Sequence, residues 1–222
     1  MNILLKMYHG LYRAFGPQNW WPGDTPFEVA VGAILTQNTN WGNVEKAIQN
    51  LKKHKVLSAE AIHGMPEVKL AGLIRPAGYY NIKAKRLKSF IGFLMNDYHG
   101  SMSMMQDMDV SCLRERLLGI HGIGQETADS ILLYALGKPV FVIDAYTKRV
   151  LSRHNVMDGN KSYGEFQEFF YSSMKRDVNL FNEYHALFVQ VGKKYCKRRE
   201  PLCNDCPLRD NVFRARSIYG RI

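Results

Sequence analysis

The sequence has no long hydrophobic run and no alternation of polar and apolar residues long enough to build a β-sheet. Its apolar run Val29–Leu35 is far too short to span a membrane. The first residues contain an apolar stretch of only three residues and no cleavage-site pattern. We therefore expect a cytoplasmic protein, with its 222 residues forming one large unit or two small interlocked ones.

Cysteine is scarce as well. Four cysteines are too few for a disulfide scaffold of this length, and three of them cluster at Cys196, Cys203 and Cys206. In a cytoplasmic chain such clustering indicates a metal site more than a disulfide.

Acidic residues are few relative to basic ones. The 30 Lys and Arg residues against 20 Asp and Glu give a net charge of +10, and residues 193–222 carry +6 of it. A second basic cluster consists of Lys83, Lys85, Arg86 and Lys88. Such a surplus favours a polyanionic partner, although an ordinary solvated surface is the alternative.

Apolar residues recur at helical spacing through most of the chain. Thr25, Pro26 and Glu28 are typical of a helix start, with a hydroxyl cap, proline at the first position and glutamate three residues after the cap. The spacing recurs over residues 44–51, 84–94 and 166–174, and only Val140–Ile143 resembles a strand. The predicted fold class is all-α.

Two helices joined by a glycine-rich turn are predicted in the middle of the chain. Residues 113–118 and 128–135 have helical periodicity, and Ile120–Gly124 lies between them. Gly122 and Gly124 would let backbone amides approach a DNA phosphate without reading sequence. Alternatively, the glycines serve only the geometry of the turn.

Asp144 directly follows the apolar run Val140–Ile143. A carboxylate at the edge of a core can be tuned by burial and by neighbouring charges. Asp is also a preferred helix cap, so Asp144 is expected to cap the helix that begins at Ala145.

Taken together, these motifs resemble the endonuclease III branch of the helix-hairpin-helix DNA glycosylases. The resemblance is carried by Gly122–Asp129, Val142–Asp144 and the cysteine spacing from Cys196 to Cys206. Leu35–Thr39 and Gly78–Ala84 resemble two further blocks of the family.

The resemblance implies two α-helical lobes with a DNA groove between them. One lobe would be a six-helix barrel over residues 23–132, ending in the helix-hairpin-helix at about 113–136. Residues 1–22 and 133–222 would form the second lobe, including the cysteine loop 196–212.

The resemblance also assigns roles to single residues. Asp144 would be catalytic, stabilising an oxocarbenium-like sugar and orienting or activating water at a flipped nucleotide. Gln37 and Asn38 would fill the vacated base stack. Lys83 and Lys148 are further expected DNA contacts.

Glu126 stands where bifunctional relatives have a lysine that forms a Schiff base. A carboxylate cannot form that adduct, so the resemblance implies a monofunctional glycosylase that leaves the DNA strand intact. Glu126 would instead face the flipped base or polarise its pocket. The alternative is that Lys83 or Lys148 replaces the missing amine.

Trp21 and Trp41 resemble the aromatic pocket residues of the 3-methyladenine DNA glycosylase III subgroup. Alkylation makes the base cationic, so aromatic faces attract it. A cationic base also leaves without a general acid, and one carboxylate can then suffice.

The family's iron–sulfur loop has four thiolates, as is usual for a [4Fe–4S] cluster. Cys196, Cys203 and Cys206 match three of them, whereas Val212 occupies the fourth position. The sequence is compatible with three alternatives: a three-thiolate cluster completed by Asp210 or water, a zinc ion, or a loop without metal.

We therefore expect a monomeric, nucleoid-associated enzyme that acts on damaged double-stranded DNA and removes alkylated purines. One alternative is a uracil/thymine mismatch or oxidised-pyrimidine glycosylase. Another is a non-catalytic DNA-binding module that keeps only the hairpin.

Overall fold

A computed structural model describes residues 2–20 and 23–209 of the chain. The chain divides into two units. The terminal unit combines residues 1–20 with 139–222, and the internal unit spans residues 21–138. All regular secondary structure in the described residues is helical, which confirms the predicted all-α class.

The internal unit is built around one buried helix. Its α-helices are α2 (Pro26–Leu35), α3 (Trp41–Lys53), α4 (Ala59–Gly64), α5 (Glu67–Leu73), α6 (Tyr80–Tyr98), α7 (Val110–Leu118) and α8 (Gln125–Ser130). A π-helical segment, Ile131–Ala135, continues α8. Every residue from Glu28 to Leu35 is buried, as expected for a helix that is apolar on all sides.

The start of α2 is formed as the sequence predicts. The Thr25 hydroxyl accepts a hydrogen bond from the Glu28 N–H at 3.1 Å, and Pro26 occupies the first helical position. Cap and proline together fix where the helix begins.

The internal unit extends beyond the expected lobe boundary at residue 132. The π-helical segment Ile131–Ala135 packs against α2, and the division between the units falls after Lys138. The Lys138 ammonium donates to the Met108 carbonyl at 2.8 Å and also to the Gln106 carbonyl, which ties this end of the unit to the residues before α7.

The terminal unit contains four α-helices in the described residues. They are α1 (Ile3–Phe15), α9 (Ala145–Arg153), α10 (Tyr163–Ser173) and α11 (Val178–Lys194). Its core is aromatic: the rings of Phe141 and Phe170 stack with centroids 3.6 Å apart. The buried Tyr184 hydroxyl donates to the Leu4 carbonyl at 2.7 Å and so joins α11 to α1.

The strand-like run Val140–Ile143 is buried but forms no strand. Side chains of α10 bond its backbone instead. The Phe141 N–H donates to the Tyr171 hydroxyl at 3.3 Å, and the Gln167 amide donates to the Phe141 carbonyl at 2.8 Å. Because these bonds satisfy buried backbone groups, the run can cross the core without a partner strand.

Within residues 2–20 and 23–209, none of the helices has the length and apolar content that crossing a membrane requires.

Candidate active site

Asp144 lies at the point where the buried run Val140–Ile143 meets α9. It is the N-cap of α9, and its Oδ1 accepts a hydrogen bond from the Thr147 N–H at 2.7 Å. The residue is only 8% exposed. The capping role expected from the sequence is thus confirmed, and the second oxygen, Oδ2, is left for other contacts.

His185 of α11 faces that second oxygen. Its Nε2 lies 3.6 Å from Asp144 Oδ2, and the residue is 5% exposed. His185 was not predictable from the sequence because it lies far along the chain from Asp144, and a single histidine in an apolar helix carries no motif.

Opposing effects act on the Asp144 carboxyl. Burial pushes the pKa of Asp144 upwards, but the His185 imidazole and the Thr147 hydrogen bond outweigh burial and hold the pKa below its ordinary value of 3.8. Asp144 is therefore ionised at neutral pH although it is buried.

The predicted hairpin is present as α7, the turn 119–124 and α8. Asp129, fully buried in α8, accepts a bidentate bond from Arg114 of α7 at 2.6 and 3.0 Å. Such a fork fixes the angle between the two helices in a way that a single hydrogen bond cannot.

The two hairpin glycines have different surroundings. Gly122 has a φ of +83°, and a Cβ atom there would lie 2.2 Å from Cγ of Arg86. At Gly124, the exposed N-cap of α8, φ is −92° and an added Cβ would meet nothing within 4 Å. The fold thus requires glycine at position 122, whereas position 124 is open to an approaching group.

Gln37 is tied to the hairpin within the internal unit. Its amide donates to the Gly122 carbonyl at 3.0 Å and to the Thr127 hydroxyl at 2.9 Å, and its carbonyl accepts from Arg86. To enter a DNA base stack, Gln37 would have to break these bonds. Asn38 is exposed and has a φ of +54°.

Lys83 is not a surface residue, so the expectation that it contacts DNA is wrong. It is 1% exposed, and its ammonium donates to the Leu35 carbonyl at 2.8 Å and to the Ala77 carbonyl at 2.7 Å. The amine joins the end of α2 to the residues before α6, which keeps it away from solvent. Burial lowers the pKa of Lys83 to about 8.

The other predicted contacts lie nearer the surface. Glu126, the second residue of α8, is exposed, and Trp41, the first residue of α3, is half-buried. Lys148 is half-buried and donates to the Lys161 carbonyl at 3.1 Å. Trp21 lies outside the described residues.

Tyr79 is a further candidate, which the sequence pattern did not predict. It precedes α6 with a φ of +46°, and 68% of it is exposed. A large aromatic residue held exposed in the left-handed region is costly, and such strain is concentrated at binding sites. An exposed ring can stack on a nucleic-acid base.

The three clustered cysteines do not share one environment. Cys196 and Cys206 are buried, Cys203 is exposed, and an Arg153 nitrogen lies 3.5 Å from the Cys196 sulfur. Burial raises the pKa of the Cys206 thiol, and the neighbouring Cys196 and Cys203 thiols raise it further.

In the described part of the chain, no three His, Cys, Asp or Glu side chains are arranged to hold a metal ion. The positions of Val212 and Asp210 lie outside that part. Among the described residues, Cys196, Cys203 and Cys206 are the cysteines of this loop, three of the four ligands that a [4Fe–4S] cluster usually has.

Exposed basic residues surround the cysteines. Arg149 donates to the Cys196 carbonyl at 2.7 Å, and Arg153 donates to the Lys197 and Arg198 carbonyls at 2.6 and 2.9 Å. These bonds anchor the segment after α11 to α9. The exposed residues form what we call the basic segment: Lys193, Lys194, Lys197, Arg198 and Arg199.

Comparison with known families and proteins gives consistent matches. The HhH-GPD superfamily of base excision DNA repair proteins matches residues 31–176. A provisionally named DNA repair glycosylase of Methanocaldococcus jannaschii is 49% identical over 94% of this chain and 95% of its own length. Endonuclease III of Sulfolobus acidocaldarius is 34% identical over 83% of this chain and 80% of its own length.

A solved structure is also similar. The 3-methyladenine DNA glycosylase of H. pylori, bound to 1,N6-ethenoadenine, superposes with a TM-score of 0.74 at 29% identity. The match covers 87% of this chain and 98% of that one.

Proposed function

Because the chain belongs to the HhH-GPD superfamily of base excision DNA repair proteins, and is therefore a DNA N-glycosylase, we propose that it removes alkylated purines of the 3-methyladenine type from duplex DNA. The observation that carries the proposal is the buried, ionised carboxylate of Asp144 at the start of α9. The similarity to a 3-methyladenine DNA glycosylase supports this substrate class.

Asp144 acts mainly through its charge. A carboxylate with a lowered pKa is a weak base, so it contributes little by removing a proton in the transition state. A fixed negative charge in a site with little water strongly stabilises the positive charge that develops on the sugar. The same carboxylate orients the attacking water.

This mechanism suits a base that is already cationic. An alkylated purine leaves as a neutral molecule, so its departure needs no protonated acid. Trp41, together with Trp21, supplies aromatic faces that attract the cationic ring.

The enzyme hydrolyses the glycosidic bond without cleaving the strand. Glu126 replaces the amine that a lyase needs, and it lies exposed at the start of α8. Lys83, one replacement considered from the sequence, is buried with its ammonium bonded to two carbonyls. The other, Lys148, donates to a backbone carbonyl.

DNA is held through features that do not read sequence. The open surface at Gly124 admits a phosphate, Asn38 is exposed beside the end of α2, and the basic segment neutralises further phosphates.

Pyrimidine lesions are the second candidate substrate class. The observation in their favour is the 27% identity, over 90% of this chain, to a thymine/uracil-DNA glycosylase of Pyrobaculum aerophilum. A pocket for a neutral pyrimidine needs hydrogen-bonding partners rather than aromatic faces, which is why we place this class second. The non-catalytic alternative is set aside because the family and the M. jannaschii relative are glycosylases.

A lesion panel tests the proposal. Duplexes carrying 3-methyladenine, uracil or thymine opposite guanine, or an oxidised pyrimidine are incubated with the protein and then treated with alkali. We expect nicks at 3-methyladenine only after alkali, and no adduct after borohydride treatment. Asp144→Asn should abolish release while keeping DNA affinity within a few-fold.

Other results of the panel would contradict specific parts of the proposal. Release of pyrimidines without release of 3-methyladenine would favour the second candidate. A borohydride-trapped adduct would contradict the monofunctional mechanism, and turnover by Asp144→Asn would remove Asp144 from the catalytic role.

A further inference from the structure

We infer that His185 is a positioning residue for Asp144, because its imidazole faces the one carboxylate oxygen that is not used to cap α9. The inference rests on the proposed role of Asp144 in base release. It concerns a residue on a different helix from Asp144, inside the terminal unit.

The packing of α11 on α9 fixes the imidazole in place. A Cβ atom at Gly192 would lie 2.3 Å from Cδ1 of Tyr146, so the absence of a side chain lets the Tyr146 ring lie directly against α11. His185 precedes Gly192 by seven residues, which is about two helical turns, so both lie on the face of α11 that contacts α9.

Arg149 strengthens the same interface. Its guanidinium donates to the Gly192 carbonyl at 3.1 Å and to the Cys196 carbonyl at 2.7 Å. The contact between the two helices therefore runs from Asp144 and His185 at one end to Arg149 at the other. A side chain at the start of this interface has little freedom to move away from the carboxylate.

Charged and titratable neighbours are directed elsewhere. Arg149 is turned towards backbone carbonyls, and Tyr184 of α11 donates to Leu4 of α1. Glu183 accepts from the Gln18 N–H at 2.8 Å. The imidazole of His185 is thus the titratable group of α11 that faces Asp144, and its effect is to lower the pKa of that carboxyl.

The consequence for the reaction is twofold. The imidazole keeps Oδ2 from rotating, since Oδ1 is already held by Thr147, and it favours the ionised carboxylate in a buried site. Without it, burial would raise the pKa of the carboxyl, and Oδ2 would lose the group that faces it.

Two substitutions separate these effects. His185→Gln keeps a neutral nitrogen donor near the position of Nε2, whereas His185→Phe fills the volume without any donor. His154→Gln is the matched control, because His154 is a partly buried histidine that follows α9 at its other end.

Rates of 3-methyladenine release are measured against pH for each variant. We expect the acid limb of the kcat/KM profile to move to higher pH by about one unit in His185→Phe, because a nearby opposite charge is removed. At neutral pH, kcat should fall by about tenfold in His185→Phe and less in His185→Gln, whose amide can donate a hydrogen bond to the carboxylate. The control should follow the wild type.

A second measurement does not depend on activity. The carboxyl carbon of Asp144 is followed by NMR in protein labelled at aspartate, and its signal is assigned by its disappearance in Asp144→Asn. The titration midpoint should be higher in both His185 variants than in the wild type, and circular dichroism at each pH verifies that the helices are retained.

The outcomes distinguish the two hypotheses. If no lesion is processed, the proposed function fails, while the NMR titration still decides the inference. If base release occurs but the acid limb and the midpoint are the same with and without His185, the inference is overturned and the proposed function stands. Failure of His185→Phe to fold leaves the decision to His185→Gln.

Discussion

At the scale of single residues, specific polar contacts stabilise the buried side chains of both Asp144 and Lys83. Asp144 has a backbone N–H and an imidazole, and Lys83 has two carbonyl groups. Their pKa values both fall, but for different reasons. For Asp144 the His185 imidazole and the Thr147 hydrogen bond together outweigh burial, whereas for Lys83 burial itself is the main cause.

The shift of Lys83 gives a pH dependence of stability. Its folded pKa of about 8 lies below the ordinary 10.5, so between these values the unfolded chain binds the proton and the folded chain does not. The free energy of unfolding should therefore rise with pH over this interval, and Lys83→Met should lack that rise. Urea unfolding from pH 7 to 10.5 measures the difference between wild type and variant.

Lys85→Met serves as the control, because Lys85 is an exposed lysine of the same helix. Its stability curve should run parallel to that of the wild type. If Lys83→Met also ran parallel, the lowered pKa of Lys83 would be disproved.

At the scale of elements, the hairpin turn contains two glycines with different roles: the fold needs Gly122, whereas Gly124 leaves the backbone accessible to a DNA phosphate. We expect Gly122→Ala to lower the free energy of unfolding by about 1–3 kcal/mol, because φ is positive and Arg86 must move. Gly124→Ala should change stability by less than about 1 kcal/mol and should weaken DNA binding by reducing access to the backbone. Denaturant unfolding measures the stability of each variant, and fluorescence anisotropy with a labelled duplex measures its DNA binding.

The opposite pattern would contradict this division of roles. A stable Gly122→Ala variant would mean that Arg86 gives way easily, and full DNA affinity in Gly124→Ala would mean that the duplex does not approach this turn.

Helix starts were predictable from the sequence because their signals are local. The cap at Thr25 and the cap at Asp144 each need only the next few residues, and both are confirmed. Val140–Ile143 resembled a strand because periodicity alone cannot tell a strand from a run whose backbone is bonded by side chains of α10.

The candidate site was only partly predictable. Asp144 was found from its motif, but its neighbour His185 depends on how α11 packs on α9, which no short segment encodes. Lys83 was misplaced on the surface because lysine is rarely buried, and its carbonyl partners come from separate parts of the chain.

At the scale of the whole molecule, the charge of +10 is concentrated towards the end of the sequence. Phosphate binding releases counterions, so DNA affinity should fall steeply with salt. Replacing Lys197, Arg198 and Arg199 together by alanine should reduce the slope of log K against log salt by about 0.9 for each phosphate that is no longer neutralised. Binding isotherms at several salt concentrations measure it.

The control for this experiment replaces exposed lysines on α3, Lys46 and Lys53, by alanine. These residues lie outside the basic segment and should leave the slope unchanged. An unchanged slope in the triple variant would place the DNA-binding surface elsewhere.

The Tyr184–Leu4 hydrogen bond joins residues 180 positions apart in the chain. During synthesis on the ribosome, α1 emerges well before the helix that covers its apolar side. The internal unit, continuous in sequence, can fold in the meantime. Although α1 is made early, it can complete its packing only after α11 has been made. A nascent chain stalled before α11 would therefore expose the apolar side chains Leu4, Met7 and Leu11 to chaperones.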